Sequence, residues 1–191
     1  MQPSTMSNDR LSGAAWWQAN QAKFPNSADL ATLSPAFKPK VDQFLAAMKA
    51  GGLKVDVKST RRSKVRAYLM HFCWKVAKGE VAPDKVPPEP GCDIVWDHGN
   101  VAASLLGARQ MVALFGIVFQ PALNSRHIEG LAIDMDISWS RAATVIDAKG
   151  KAIAMGAPGD GATNTILHQV GESYGVIKNV ADRPHWSDTG R

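Results

Sequence analysis

Residues 125–136 have the sequence Ser-Arg-His-Ile-Glu-Gly-Leu-Ala-Ile-Asp-Met-Asp, and we interpret the rest of the chain as a scaffold for them. Its first half is polar and contains Gly130, which predicts a loop or a turn. Its second half alternates, because Ala132, Asp134 and Asp136 are separated by large apolar residues. That period of two is typical of a half-buried strand. The stretch therefore predicts a turn that leads directly into a strand with carboxylates on one face.

A carboxylate inside a strand is costly to bury unless something binds it, so Asp134 needs a partner. His127 lies seven residues upstream at the loop end of the same element, where the two side chains can converge on one metal ion. His185, within residues 182–187, is the candidate third ligand. Two imidazoles and one carboxylate form a zinc site with an open position, at which the pKa of a bound water falls to about 7. The competing interpretation is that each histidine is an ordinary hydrogen-bonded residue of the surface or the core.

The residues around His185 supply further candidate groups. Asp182 lies three residues earlier and is the candidate general base, which takes a proton from the metal-bound water and passes it to the leaving amine. The alternative for Asp182 is a loop or N-cap aspartate that pairs with Arg183. Pro184 stiffens the backbone, and Trp186 is a candidate wall of the substrate site, although core packing is the commoner fate of tryptophan.

Two separated motifs resemble those of a known family. The first motif is Ser-x-His followed, after six further residues, by Asp. The second motif, far downstream, is Asp-x-x-His-Trp. The pair is similar to the motifs of the zinc peptidases of bacterial cell walls, which include VanY-type D-alanyl-D-alanine carboxypeptidases, vancomycin-resistance D,D-dipeptidases and phage L-alanyl-D-glutamate endolysins. These enzymes share the Hedgehog/D,D-peptidase fold. The resemblance extends from about residue 35 to residue 187 and is strongest in residues 59–69, 125–139 and 174–187.

The resemblance implies the activity and the cofactor. It implies a zinc metallopeptidase with one ion, held by His127, Asp134 and His185. The implied substrate is the stem peptide of peptidoglycan, cleaved by a D,D- or L,D-carboxypeptidase or by an L-alanyl-D-glutamate endopeptidase. The family often has Glu at the position of Asp182, although Asp occurs in the phage-type members. The shorter side chain requires a closer approach to the water.

The resemblance also implies groups that contact the substrate. In the family, an arginine in a Ser-x-x-Arg context after a strand reaches the reacting carbonyl or a substrate carboxylate, and Arg62 fits that context. A guanidinium suits this role because of its planar fork of donors. Arg61 points the other way on an extended chain, and a solvated basic turn is the alternative for both. Ser125 is a candidate to hydrogen-bond the substrate or orient the loop, and His98 to line the cleft.

Composition and charge exclude several classes of protein. The chain has 191 residues, and no segment approaches the apolar length of a membrane span. The net charge of +5 arises mostly from scattered lysines and arginines, so we attribute it to solubility and expect no nucleic-acid partner. Residues 1–20 lack the continuous apolar core of a secretory signal. Cys73 and Cys92 lie too far apart for a Cys-x-x-Cys motif, and their pairing stays open.

The order of the predicted elements indicates an α+β fold that forms one peptidase domain over residues 1–191. We expect a small, mainly antiparallel sheet packed with helices, with the zinc site in a cleft. Residues 1–12 are expected to be disordered, and residues 79–93 to form a proline-rich loop within the domain. Asp147-Ala148-Lys149-Gly150 predicts a hairpin turn. Helices are predicted at residues 16–17, from residue 41 to Gly51, after Ser63, over residues 100–115 and over residues 164–174.

The cell wall lies outside the cytoplasm, so a chain without a standard signal peptide needs another route to this substrate. A phage holin pore and a contact-dependent secretion system both fit, and we expect a monomer that acts in the periplasm or the wall. The alternative function is a catalytically silent, zinc-containing module of the same fold that binds wall peptides or another protein. A third interpretation is an enzyme for free dipeptides whose small cleft is closed by residues 79–93.

Overall fold

The computed structural model describes residues 8–191, which form the predicted α+β structure. The helices are α1 (Ala14–Asn20), α2 (Lys38–Ala50), α3 (Lys64–Ala77), α4 (Val101–Phe115), α5 (Arg126–Glu129) and α6 (Thr165–Ser173). The strands are β1 (Lys54–Ser59), β2 (Ala132–Trp139), β3 (Ala143–Ile146), β4 (Ala152–Met155), β5 (Gly159–Asp160), β6 (Ile177–Lys178) and β7 (His185–Ser187). No helix in the described range, the 15-residue α4 included, has the length and apolar character needed to cross a membrane.

The chain divides into two compact units. The first unit comprises the described part of residues 1–25 together with residues 63–125, and it contains α1, α3 and α4. The second unit comprises residues 26–62 and 126–191, and it contains α2, α5, α6 and the strands β1 to β7. The single peptidase domain over residues 1–191 stays a prediction.

Part of the amino-terminal segment, for which the sequence predicts disorder, has a defined structure. Residues 1–7 of that segment lie outside the described residues. Asn8–Arg10 form a short 3-10 turn, and Leu11 makes an isolated bridge with Val95. Ser12 is only 4% exposed, and its backbone N–H donates to the Val95 carbonyl at 2.8 Å. The residues from Asn8 to Ser12 therefore belong to the first unit as ordered chain.

The predicted start of α3 and both predicted ends of α4 are confirmed, whereas α1 begins at Ala14, two residues before the predicted Trp16. Ser63 caps α3, because its hydroxyl accepts a hydrogen bond from the backbone N–H of Arg66 at 3.2 Å. Asn100 caps α4 in the same way through the N–H of Ala103, and Gly116 ends that helix with a φ of 65°. Their buried faces form a core that also takes in both tryptophans of α1. The largest buried side chains of this core are Trp16, Trp17, Phe24, Tyr68, Leu69, Phe72, Trp96 and Met111.

The proline-rich segment and the two cysteines lie in the first unit. Residues 79–93 are mostly irregular, with a short 3-10 turn at Pro83–Lys85, in agreement with the predicted loop. Cys73 and Cys92 are free thiols. Burial raises the pKa of both thiols, so both remain protonated at neutral pH and are poor metal ligands.

The sheet of the second unit has the order β1-β2-β7-β6, with β5 paired to the far end of β2 and all pairs antiparallel. The predicted alternation of β2 is confirmed, because its large apolar residues are buried while Asp136 is exposed on the other face. Asp134 lies on the same face as Asp136. The opposite face packs on α2 and α6, and the core there includes Phe44, Met48, Ile133, Met135, Ile137, Leu167, Val170 and Trp186.

The predicted hairpin is also confirmed. Strands β3 and β4 pair in register from Ala143↔Met155 to Ile146↔Ala152. The Asp147 carboxylate accepts from the backbone N–H groups of Lys149 and Lys151, each at 2.9 Å, and so holds the turn closed.

Candidate metal centre

Three side chains of the second unit each bring one metal-binding atom to a common point. His127 Nε2 lies 3.1 Å from Asp134 Oδ1, His185 Nδ1 lies 3.2 Å from the same oxygen, and the two nitrogens lie 3.2 Å apart. A tetrahedral zinc ion with ligands at about 2.0–2.1 Å has donor–donor edges of about 3.3–3.4 Å. The triangle therefore nearly matches one face of such a tetrahedron and leaves the fourth vertex for another ligand. This buried group can hold a metal ion.

The sheet places two of these three residues. Asp134 lies within β2 and is the register partner of His185 at the start of β7. Directly opposite residues of antiparallel strands project from the same face with their side chains close together. On its other side, Asp134 is the register partner of Ser59, the last residue of β1. The carboxylate is therefore flanked on both sides by strand ends.

The third residue, His127, is held by the short helix α5. Arg126, on the same helix, donates to Asp188 Oδ2 at 2.9 Å and ties α5 to the segment that follows β7. Gly130 ends the turn with a φ of 69° and lets the chain reverse into β2. The backbone carbonyl of His127 also accepts from the N–H of Arg62 at 3.1 Å. These contacts hold the turn in place, and the turn positions the ring of His127 next to Asp134.

Hydrogen bonds to backbone carbonyls fix the tautomers of both rings. His127 Nδ1 donates to the Thr60 carbonyl at 2.6 Å, and His185 Nε2 donates to the Arg191 carbonyl at 3.0 Å. Since a carbonyl only accepts, the proton of each neutral ring is assigned to that outer nitrogen, and the inner nitrogen presents its lone pair to Asp134. Two lone pairs and a carboxylate oxygen then face one another. Such a triangle is stable only when a proton or a metal cation lies within it.

The electrostatics of the centre keep Asp134 ionised. Burial by itself raises the pKa of this carboxyl, but the hydrogen bonds and charges of His127 and His185 outweigh it and hold the pKa well below its ordinary value. Asp134 is therefore an anion at neutral pH, as a metal ligand must be.

Arg62 lies beside the centre, whereas Arg61 is exposed. Burial lowers the pKa of the Arg62 guanidinium, and the negative charges of Asp134 and Asp182 oppose that shift. Its Nε donates to Asn26 Oδ1 at 3.3 Å, and the same oxygen accepts from the Ser59 hydroxyl at 3.0 Å. Asn26 was not predicted from the sequence, because it lies 36 residues before its partner in an irregular segment with no motif.

Asp182 is exposed, and its backbone closes a turn that leads into β7. Its N–H donates to the Asn179 carbonyl and its carbonyl accepts from the N–H of His185, both at 3.2 Å. Among residues 8–191 the Asp182 carboxylate makes no hydrogen bond or ion pair. Arg183, the alternative partner, pairs with Asp160 at 2.7 Å. The carboxylate is therefore exposed and unpaired within the described part of the chain.

No family model, curated protein or solved structure matches this chain. The resemblance to the wall peptidases therefore rests on the two sequence motifs alone. The identity of a bound ion rests likewise on the donor set alone.

The prediction that Trp186 contacts a substrate is wrong. Its side chain is fully buried, and its ring centre lies 5.4 Å from that of Phe44 in the core. The physical reason is the alternation of β7, in which the neighbour of a site-facing His185 must face the core. Trp186 also leaves its Nε1 without a hydrogen bond in that buried position.

Two further predicted substrate contacts stay predictions. Ser125 is half-buried and immediately precedes α5. His98 lies in the first unit, where its Nε2 and the Ser12 hydroxyl are 3.0 Å apart and its backbone N–H donates to Ser104 Oγ at 2.9 Å. It is not a member of the group formed by His127 and its two partners.

The sequence reasoning missed Lys178, a lysine that is 6% exposed in β6. Its ammonium donates to the carbonyls of Asp182 at 2.6 Å and His185 at 3.2 Å. Burial lowers the pKa of this ammonium, and the charges of Asp182 and Asp134 oppose that shift. Strand periodicity could have predicted this buried position. Lys178 lies two residues after the buried Val176, so both side chains fall on the inward face of a strand.

Proposed function

We propose that the protein is a zinc-dependent peptidase that hydrolyses a bond in the stem peptide of peptidoglycan. The observation that supports this most is the convergence of His127 Nε2, Asp134 Oδ1 and His185 Nδ1. Two imidazoles, one carboxylate and an open position are the ligand set of catalytic zinc sites, whereas structural zinc sites are closed by four protein ligands. The small antiparallel sheet with its packed helices is compatible with the Hedgehog/D,D-peptidase fold that the motifs imply.

The donor set fits zinc better than the other common cations. Calcium and magnesium require six or more oxygen ligands, and the group offers one carboxylate and two nitrogens. Imidazole with carboxylate suits zinc at the separations found between the donor atoms. The outer ring nitrogens are bound to backbone carbonyls, which is the orienting arrangement that zinc-binding histidines usually have.

Each neighbouring side chain then has a role in hydrolysis. Zinc bound here would supply an acidified water and polarise the scissile carbonyl. Asp182, whose carboxylate is unpaired, accepts the proton of the attacking water and delivers it to the leaving amine. Arg62 donates hydrogen bonds to the oxygen that becomes negative as the carbonyl is attacked. Asn26 holds the Arg62 guanidinium by its Nε and leaves the terminal nitrogens for this task.

The substrate class rests on the resemblance, because the chain's own residues point only to amide hydrolysis. A net charge of +5 is compatible with approach to anionic wall polymers. We propose accordingly that the protein acts as a monomer in the periplasm or cell wall.

The test uses purified protein, with and without a chelator, on intact peptidoglycan, and identifies the products by mass spectrometry. Chelator-sensitive release of D-alanine would identify a carboxypeptidase, and cleavage after L-alanine an endopeptidase. Asp182→Asn should abolish turnover and retain one equivalent of zinc. Asp136→Asn is the control, because Asp136 is an exposed carboxylate on the sheet face that carries Asp134, and it should retain both turnover and zinc. Zinc at one equivalent without any cleavage by the natural sequence would contradict the proposal and favour a silent binding module.

A further inference from the structure

Lys178 occupies a core-facing position of the sheet at which an apolar residue would be expected. In the register of β6 and β7 it lies opposite Trp186, which is fully buried. Its Nζ lies 5.7 Å from the centre of the Trp186 ring. The methylene groups therefore pack in the core, and only the ammonium needs polar partners.

Three backbone carbonyls surround that ammonium. It donates to the carbonyls of Asn179, Asp182 and His185, the last two at 2.6 and 3.2 Å. A lysine ammonium has three donors, so this set uses all of them. Among residues 8–191 no carboxylate lies within ion-pair distance of Nζ. The three oxygens belong to the start, the middle and the end of the segment 179–185, which connects β6 to β7.

That connection contains both the candidate general base and one candidate metal ligand. The Asp182 carbonyl accepts from Lys178 Nζ and from the backbone N–H of His185, so the two residues are joined directly and through the lysine. The carbonyl of His185 is bonded to the same ammonium. These bonds fix the two backbones relative to each other and leave the Asp182 carboxylate without a partner.

We propose that Lys178 is a positioning residue that holds Asp182 at a fixed place relative to His185. The role of Asp182 rests on the proposed function, whereas the role of His185 requires only that a metal binds. An apolar residue would fill the core equally well but would remove the one group that binds all three carbonyls at once. Each carbonyl would keep a single backbone N–H donor, from Asp182 to Asn179, from His185 to Asp182 and from Asn179 to His185. The start, middle and end of the connection would then be held together less firmly. The lysine thus couples the packing of β6 to the geometry of the metal centre.

The experiment compares Lys178→Met, which keeps the apolar stem, with Lys178→Gln, which keeps two N–H donors on a shorter side chain. The control is Lys58→Met, because Lys58 is an exposed lysine of the same unit that pairs with Asp56. Zinc affinity is measured by chelator competition, and ligand geometry by the visible absorption of the cobalt(II)-loaded protein. We expect Lys178→Met to lose roughly tenfold to a hundredfold in zinc affinity and to change the cobalt bands. Lys178→Gln should lie between, and Lys58→Met should match the natural sequence.

Several outcomes would overturn the proposal. Unchanged zinc affinity and cobalt bands in Lys178→Met would show that the lysine has no influence on the centre. Equal losses in Lys178→Met and Lys58→Met would show a general effect of charge. If Lys178→Met does not fold by circular dichroism, Lys178→Gln provides the same comparison.

Turnover on the stem peptide separates this proposal from the proposed function. Misplacement of Asp182 should lower kcat with little change in KM, because the substrate still binds. A natural protein that binds zinc without cleaving any bond would refute the peptidase assignment. The cobalt spectra of the Lys178 variants would still decide whether the lysine positions His185.

Discussion

Asp134 is the residue on which the two candidate ligand histidines converge. His127 Nε2 and His185 Nδ1 lie 3.1 and 3.2 Å from Asp134 Oδ1. A cation would bind all three atoms at that point. These contacts explain how β2 tolerates an acidic residue beside its core.

The first prediction concerns Asp134→Asn in the metal-free protein. The carboxyl has an ordinary pKa of 3.8 and a lower pKa when folded. Its contribution to stability is therefore complete above about pH 4 and is lost as the pH falls through the folded-state pKa. We expect the substitution to lower the free energy of unfolding by about 1.5–3 kcal/mol at neutral pH. Urea denaturation in the presence of chelator, from neutral pH down to about pH 3, measures the effect.

Asp136→Asn is the matched control for that experiment. Asp136 lies two residues along the same strand face but is exposed, and its nearest cation is Lys58 at 3.5 Å. An exposed pair of this kind is worth little, so its removal should change stability by about 0.5 kcal/mol or less. A constant difference between Asp134→Asn and the natural sequence across the pH range would contradict the assigned electrostatics.

At the scale of elements, the turn between α5 and β2 determines where His127 lies. Gly130 has a φ of 69°, and a Cβ there would lie 2.9 Å from the Ser34 nitrogen and 3.1 Å from the Thr32 carbonyl oxygen. Both neighbours are backbone atoms, which cannot move aside as a flexible side chain can. We therefore expect Gly130→Ala to lower the free energy of unfolding by more than about 1 kcal/mol and to weaken zinc binding, as measured by denaturation and chelator competition.

Gly150→Ala separates the cost of a positive φ from the cost of a steric clash, which both contribute to the stability lost in Gly130→Ala. Gly150 has a φ of 82° in the turn between β3 and β4, and a Cβ added there would meet no atom within 4 Å. It therefore reports the cost of the positive φ alone. Gly150→Ala should lose stability and keep its zinc affinity. If it weakened zinc binding as much as Gly130→Ala, the turn before β2 would have no special role in placing His127.

Local periodicity predicted the elements better than it predicted the site. The alternation of residues 131–137 correctly placed Asp134 on the face away from the core, since that pattern depends only on neighbouring residues. The same alternation, applied to β7, would have placed Trp186 in the core. Applied to the residues around β6, it would have revealed Lys178 as a buried cation. Trp186 was assigned to the substrate site from its place in the motif beside His185, and not from the alternation of the strand.

At the scale of the whole molecule, the centre depends on contacts between distant segments that no local pattern specifies. The Thr60 carbonyl that orients His127 lies 67 residues from it, and His185 lies 51 residues from Asp134. The strands β1 and β2 are neighbours in the sheet, yet residues 63–125 of the first unit lie between them in sequence. The sequence predicted the helices of that stretch correctly but not the division of the chain, because helix periodicity does not reveal which strands pair.

The last prediction follows from that division, because all three candidate ligands belong to the second unit. A ligand that binds only the folded state at 100 times its Kd adds about 2.7 kcal/mol of stability. Zinc should therefore slow amide hydrogen exchange in β1, β2 and β7, which hold or flank the ligands, and should change exchange in α3 and α4 of the first unit much less. Mass spectrometry of exchange with and without zinc measures this, and His185→Ala provides a control in which zinc should protect neither unit. Equal protection of α3 and of β2 would contradict the assignment of the metal effect to the second unit, and no protection of β2 at saturating zinc would exclude the centre itself.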